Sequence, residues 1–335
     1  MRLEALREQL RAAGAKPRHE TLVLRAWVRG LPLDAFAHLA EFPRKLEAAL
    51  PELSAAWAAL ALPRAEHRSA DGSSRLLLGL ADGRTVESVL LPGDGVCVST
   101  QVGCAVGCRF CMTGRCGLER QLGSAEIVAQ VALARARRAI RRVVLMGMGE
   151  PAHNLDNVLD AVDLLGTEGG LHWKNIVVST VGDRRLFERL HAARVRPALA
   201  LSLHTTKPEL RRELLPRAPR IDPAELVELA ERYARVTTYP TQYQWTLLAG
   251  VNDGDDEVER VAELLAGKYA VLNFIPFNAV EGAGFARTPW ARAAEMARRL
   301  HARGVLVKLR RSAGQDVEAG CGQLRVRAAG RARAC

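Results

Sequence analysis

The first 96 residues contain no cysteine, and five of the chain's seven cysteines then fall between positions 97 and 116. Such bunching excludes a disulfide framework for a chain of 335 residues and points to metal or redox chemistry. Long apolar runs are also missing. Nothing approaches the roughly 18 residues of a membrane span, so no membrane partner is expected. The stretch MRLEALREQLRAAG lacks an apolar signal core, so secretion is not expected and the chain reads as cytoplasmic. Lysine is scarce, 6 residues against 42 arginines. What is abundant is ordinary for a globular protein: 48% hydrophobic and 25% charged residues exclude a disordered or collagen-like chain. The length allows one large domain, or one domain with a small accessory piece. The formal charge of +11 is compatible with an anionic partner such as nucleic acid but does not identify one.

The densest feature is Gly103-Cys104-Ala105-Val106-Gly107-Cys108-Arg109-Phe110-Cys111, a C-x3-C-x2-C pattern. Three thiolates this close can hold a metal or cluster on one loop, and Gly103 and Gly107 mark it as a loop. A structural zinc ion wants four ligands, usually from two paired knuckles. Cys116 offers a fourth ligand. A [4Fe–4S] cluster with one open iron needs only three.

Residues 1–70 read as a helical accessory domain, with Leu3, Leu6 and Leu10 at helical spacing and Pro32, Pro43, Pro51 and Pro63 as breaks. Residues 71–94 read as a β-hairpin turning at Asp82-Gly83. From 95 to 312 strand-like and helical runs alternate. Strands are expected near 96–100, 143–148, 175–180, 198–203, 243–248 and 271–276, with a further one at 305–310. Helices are expected at 124–138, 155–165, 183–192, 222–235, 255–267 and 289–303. This alternation predicts an α/β fold with a parallel sheet, built as an open, partial (β/α)6 barrel. Ligands gather at the C-terminal strand ends of such folds. The cysteine loop, Gly149-Glu150, Ser179, Ser202, His204 and Asn278 all fall there. Residues 313–335 read as a cysteine-bearing loop and basic tail.

The cysteine pattern, with Phe110 before its third cysteine, resembles the radical S-adenosylmethionine (SAM) superfamily. The resemblance narrows through Cys97-Val-Ser-Thr-Gln-Val-Gly-Cys104, Met146-Gly-Met-Gly-Glu-Pro151, Val178-Ser-Thr180, Leu201-Ser-Leu-His204, Gly250-Val-Asn-Asp-Gly254, Asn273-Phe-Ile-Pro-Phe-Asn278 and Ala319-Gly-Cys321-Gly-Gln-Leu324. In this order, over about 85–324, these motifs resemble the RlmN/Cfr family of radical SAM RNA methyltransferases. The resemblance implies a [4Fe–4S] cluster on Cys104, Cys108 and Cys111. It implies SAM as both methyl donor and radical source. It also implies methylation of a ring carbon of adenosine in 23S rRNA, with tRNA as a further substrate. Gly149 and Glu150 would meet the SAM amino group, and Ser179, Ser202, Leu203, His204 and Asn278 would line SAM. Cys321 would carry the methyl group into a transient protein–RNA adduct, and Cys97 would resolve that adduct. Glu87 would accept the ring proton, although the Glu87-to-Cys97 segment is shorter than in typical RlmN proteins. An electron donor such as flavodoxin or ferredoxin and a monomeric state are also expected.

Pro151 after Glu150 resembles the RlmN-type rather than the Cfr-type pattern, which implies attack at C2 over C8. Ala152-His153 and Ala279-Val-Glu-Gly282 depart from the family pattern, which leaves C8 or another RNA target open. The alternatives are a radical SAM enzyme acting on something other than RNA, and an RNA-binding module with a structural metal. Paired Cys97 and Cys321 speak against the former. Cys116 and Cys335 match no family role. Residues 298–335 carry ten basic residues and two acids, so the excess charge around Cys321 is expected to hold RNA phosphates while a base is drawn into the pocket.

Overall fold

The computed structural model describes residues 1–115, 117–280 and 282–326. Cys116, Cys335 and the basic residues Arg327, Arg331 and Arg333 lie outside them.

Three helices open the chain: α1 (Leu3–Ala12), α2 (Pro17–Val28) and α3 (Arg44–Ala58). Leu3, Leu6 and Leu10 share the buried face of α1, as their spacing predicts. Pro51 does not break the chain. It sits inside α3, giving up one intrahelical hydrogen bond, while Leu46, Leu50 and Trp57 around it are buried in the common core.

Residues 62–68 also differ from expectation. They form strand β1 (Leu62–Arg68) rather than helix, and precede the expected hairpin β2 (Ser74–Gly79) and β3 (Thr85–Leu90). Pairing with β2 drives the switch, because β1 has an exposed, charged face that carries no strand periodicity of its own.

The remaining elements follow as β4 (Gly95–Cys97), β5 (Gln101–Gly103), α4 (Met112–Arg115), β6 (Leu118–Gln121), α5 (Ser124–Arg137), β7 (Arg142–Leu145), α6 (Leu155–Gly166), β8 (Ile176–Thr180), α7 (Arg184–Ala192), β9 (Ala198–Ser202), α8 (Pro208–Leu214), α9 (Pro223–Thr237), β10 (Thr241–Leu247), α10 (Asp255–Leu264), β11 (Ala270–Pro276), α11 (Trp290–Ala302) and β12 (Val307–Leu309). Helix starts obey local chemistry. Asp222 accepts the Ala224 amide at 2.8 Å with Pro223 behind it, and Asp183 accepts that of Arg185 at 2.8 Å.

One ten-stranded sheet runs β1-β2-β3-β4-β7-β8-β9-β10-β11-β12. The first four strands pair antiparallel, and pairing from β4 through β12 is parallel. The sheet has two edges, β1 and β12, so the barrel stays open. The alternation read from residue 95 onward is present with small shifts at element ends. A second, two-stranded sheet of β5 and β6 brackets the cysteine loop, a feature too short for the pattern to announce.

The N-terminal helices and the barrel share one apolar core, in which Leu3, Leu6 and Trp57 join Val128 and Val131 of α5. Leu6→Ala is therefore expected to cost the whole chain about 3 kcal/mol, within the usual range for a buried leucine. Urea titration of the protein without cofactors tests this. A loss near zero would mean that the helices do not share the barrel's stability.

Candidate active site

The cysteine loop leaves β5 and is tied down by its own backbone. Cys104 donates its amide to Gly117 O at 2.8 Å, and Cys111 to Cys108 O at 3.1 Å. Gly103 is required here: its φ is +79°, and a Cβ would lie 1.9 Å from Gly117 O. From α8 and the turn after it, Leu214 O accepts the Arg109 amide at 3.0 Å, and the Arg217 guanidinium donates to Ala105 O at 3.1 Å.

Cys104, Cys108 and Cys111 line a cavity of about 160 Å3. Around it lie five further expected residues, each delivered by a strand exit: Gly149 and Glu150 after β7, Ser179 on β8, and Ser202 and His204 at β9. Gly149 sits at φ +109° against Gln101 and Thr100, where a Cβ would come within 2.7 Å of both side chains. Only glycine lets the β7 exit pass that close to the start of β5, which leads into the cysteine loop.

Glu150 is buried, and burial raises its pKa. Its carboxylate accepts from Thr180 Oγ1 at 2.6 Å, Ala152 N at 3.0 Å and Val181 N at 3.0 Å. It therefore fastens the β7 exit to the β8 exit while facing the cavity. His204 adopts φ +63°, unusual for a side chain of its size. Its Nδ1 accepts the Thr246 amide at 3.0 Å, which puts the ring proton on Nε2. Burial, and then the charge of Arg211, push its pKa down to about 3. Phe110 packs edge-on against this ring at 4.8 Å, which gives the aromatic before the third cysteine a physical role.

Leu203 and Asn278 do not line this cavity. Leu203 is sunk in the apolar core. Asn278 Nδ2 donates to Ser312 Oγ at 2.9 Å and to the Cys321 carbonyl at 3.0 Å, so it holds the Cys321 loop.

A second cavity of about 870 Å3 opens beside the first, and Cys97 and Cys321 both line it. Cys321 lines both cavities and stands where they meet. Burial, and next the neighbouring Cys321, push the Cys97 thiol up to about 12. The Cys321 thiol is also raised by its crowded surroundings, against the pull of the Arg310 charge. Both cysteines are free.

Arg310 and Arg311, from the basic segment expected around Cys321, line this larger cavity, and sequence reasoning missed two further arginines there, Arg142 and Arg287. Trp290, half-exposed at the start of α11, stands beside them with the Arg311 guanidinium over its ring. None of the four arginines is ion-paired among the described residues. The expected basic excess is accordingly redistributed. Arg299 and Arg303 are taken up by Asp255 and Glu259 of α10, whereas Arg310 and Arg311 remain free to face a ligand. Arg142 and Arg287 are far apart in sequence, and no local signal groups them.

Glu87 lines neither cavity and is fully buried, not an exposed strand residue. Its carboxylate accepts from the Arg75 guanidinium and from the Arg325 amide, the latter at 2.9 Å.

The radical SAM superfamily model matches residues 98–265. The protein named "Probable RNA methyltransferase" in Aromatoleum aromaticum is 70% identical over 329 residues, covering 98% of this chain and 93% of its own length. The chain belongs to the radical SAM superfamily. A similarly named protein of Methylibium petroleiphilum is 66% identical to this radical SAM protein, covering 99% of it and 95% of its own length. A crystal structure of a radical SAM methyltransferase from Sphaerobacter thermophilus matches it with a TM-score of 0.83 at 35% identity, covering 97% and 98% of the two chains. The chain is thus a radical SAM methyltransferase, as the RlmN/Cfr motifs anticipate, and its family uses a [4Fe–4S] cluster and SAM. No helix of the described residues is long and apolar enough to cross a membrane.

The donor set fits a cluster. Among the described residues no group of three His, Cys, Asp or Glu side chains is set to hold a metal ion. The three thiols instead stand around a cavity. A cluster takes one thiolate on each of three irons, which matches three cysteines around one cavity.

His204 is expected to stay neutral, with its proton on Nε2, from pH 8 down to pH 5. Side-chain nitrogen chemical shifts of the His204 ring test this. Titration near the ordinary value of 6.5 would contradict the arrangement.

Proposed function

We propose that this chain methylates a ring carbon of adenosine in RNA, C2 rather than C8, in 23S rRNA, tRNA or both. The relatives' names support RNA as the substrate class. The observation that carries the reading is the position of Cys321, whose residue borders both the cysteine-lined cavity and the arginine-lined one that holds Cys97.

The larger cavity suits a nucleotide. Arg142, Arg310 and Arg311 offer guanidinium groups to phosphate oxygens, Arg287 is engaged by Phe277 O, Asn278 and Gln315, and Trp290 offers an aromatic face for a neighbouring base. In the smaller cavity, Cys104, Cys108 and Cys111 would hold the cluster. Gly149, Glu150, Ser179, Ser202 and His204 would surround SAM, and the buried Glu150 carboxylate would favour a cationic ammonium nearby. Leu203 stiffens this wall from the core behind it, and Asn278 acts through the Cys321 loop. Bound together, cluster and SAM supply one-electron cleavage and a hydrogen-abstracting radical.

The chain's own part is thiol chemistry. Cys321 takes the methyl group from SAM by displacement at carbon and becomes S-methylcysteine. Its methyl carbon, after giving up a hydrogen atom to that radical, would bond to the adenine ring; one electron would return to the cluster and the ring proton would leave to an acceptor, the role the resemblance assigns to Glu87. Cys97 as thiolate attacks the Cys321 sulfur. The sulfur–carbon bond breaks with its electron pair on carbon, which gains a proton, and a Cys97–Cys321 disulfide remains for a thiol to reduce. Flavodoxin or ferredoxin fits the need for a one-electron donor. A monomer in the cytoplasm fits a reducing compartment and thiols that are free in the structure.

A Cys97→Ala enzyme is expected to become trapped covalently on RNA. Denaturing electrophoresis reads the adduct, and nucleoside mass spectrometry of the wild-type product distinguishes 2-methyladenosine from 8-methyladenosine. Free product from the Cys97→Ala enzyme would reject the adduct scheme. Because burial pushes Cys97 well above neutrality, decay of the wild-type adduct is expected to quicken about tenfold per pH unit from pH 7 to 9, as the thiolate fraction grows.

Arg310→Glu with Arg311→Glu is expected to weaken RNA binding at least tenfold. It should also make the slope of log affinity against log salt shallower by about 0.7 for each single-strand phosphate that is no longer neutralised. Filter binding over a salt series reads both quantities. An unchanged affinity and slope would remove these arginines from the interface.

A further inference from the structure

We propose that Arg75 and Glu87 form a two-ended clamp on the loop that carries Cys321, and so act as positioning residues for its sulfur. The two side chains come from neighbouring strands. Arg75 on β2 pairs with Val89, and Glu87 on β3 pairs with Leu77, so Arg75 and Glu87 lie diagonally on one face of the hairpin. Both are buried. Each uses the ion pair and then reaches on to the same distant segment. Arg75 donates from Nε to Val317 O at 2.6 Å and from its terminal nitrogen to Glu87. Glu87 accepts the Arg325 amide at 2.9 Å on its other carboxylate oxygen.

The hydrogen-bonded path thus runs Val317, Arg75, Glu87, Arg325. It closes the loop at its two ends, with Cys321 midway between them. Further contacts reinforce this base. The Arg325 guanidinium pairs with Glu318 at 3.1 Å, and Asp316 accepts from Ser69 Oγ at 2.5 Å. The Gly314 amide donates to Asp71 at 2.8 Å. At the apex, the Met112 amide, next to the cluster cysteine Cys111, donates to Gly322 O at 2.7 Å. Asn278 holds the Cys321 carbonyl. The glycines beside Cys321 suggest a loop free to swing. The contacts describe instead a short apex on a fixed base, which limits how far the sulfur can travel between the two cavities.

A buried ion pair is a costly way to join two strands, because both charges lose water. This one has a purpose beyond pairing β2 to β3, which the ladder already does. The guanidinium fork serves Glu87 and Val317 together, and the two carboxylate oxygens serve Arg75 and Arg325 together. Lysine at 75 would keep the charge, but its three donors sit on a single nitrogen and do not reproduce the rigid fork that reaches Glu87 and Val317 O from two nitrogens.

The consequence for methyl transfer rests on the reading of Cys321 as methyl carrier; the clamp itself does not. The test uses the full-length, cluster-loaded enzyme with Arg75→Lys and Glu87→Gln. Iron content and thermal unfolding report the fold. Hydrogen–deuterium exchange over 314–326 reports the loop, and intact mass after incubation with SAM reports methylation of Cys321. Both variants are expected to keep their iron, to exchange the 318–325 amides at least tenfold faster, and to methylate Cys321 at least tenfold more slowly. Unchanged exchange in the two variants would overturn the clamp. So would a Glu87→Gln enzyme that methylates Cys321 normally and stalls on an RNA adduct while Arg75→Lys behaves as wild type, since Glu87 would then act as the proton acceptor alone. If Glu87→Gln does not fold, Arg75→Lys carries the exchange test by itself. Absence of Cys321 methylation in the wild-type enzyme would reject the methyl-carrier reading, and exchange would still decide the clamp.

Discussion

Parallel pairing from β4 to β12 makes every strand leave the sheet at the same edge, and this constraint governs the rest of the molecule. Seven exits delivered to one edge bring together residues that the chain separates by crossover helices. The cysteine loop is then inserted at the first exit on the β5–β6 hairpin. Gly149 lets the β7 exit lie against that hairpin, and Glu150 ties it to β8. The smaller cavity is what remains between these closely packed exits.

Crowding polar backbone ends into one place creates donors and acceptors that water cannot reach, and the structure answers with buried polar side chains. Gln130 accepts from Ser99 N and Ser88 Oγ and donates to Ser99 O, while Ser99 Oγ bridges Glu87 O and Met148 N. Asn252 spans His204 O and Thr246 O, and Arg211 reaches Val181 O and Ser202 O. These residues carry no chemistry of their own. They hold the strand exits in register with the cavity, so conservative replacement among them would alter the site without touching a ligand.

Charge follows the same logic of place. Arg299 of α11 and Arg303 just beyond it are spent on the acids of α10, whereas the arginines after β12 turn into the larger cavity beside Cys321. Arg75 and Glu87, buried on the antiparallel extension, reach across the sheet edge to the same loop. The N-terminal extension is thereby coupled mechanically to the residue proposed to carry the methyl group, although it contributes no lining residue beyond Asp71, Val89, Leu91, Pro92 and Asp94.

The three-cysteine loop and the alternating strands and helices were readable from the sequence because their signals are local: three thiols within eight residues, and apolar runs of fixed period. Glu150, Ser179, Ser202 and His204 were readable because strand exits on a parallel sheet share an edge whatever the details. Strand β1 and the continuous helix through Pro51 were not, since pairing and burial outweigh weak local preference there. The partners of Glu87 were beyond any local reading, because Arg325 lies 238 residues away and its amide carries no side-chain signature. The sequence therefore determined that three clustered thiols would gather on one loop, and its resemblance to a known family named the cofactors that loop serves. Only the tertiary structure decided which groups surround the two cavities and what holds Cys321 between them, because those contacts arise from the packing of distant segments.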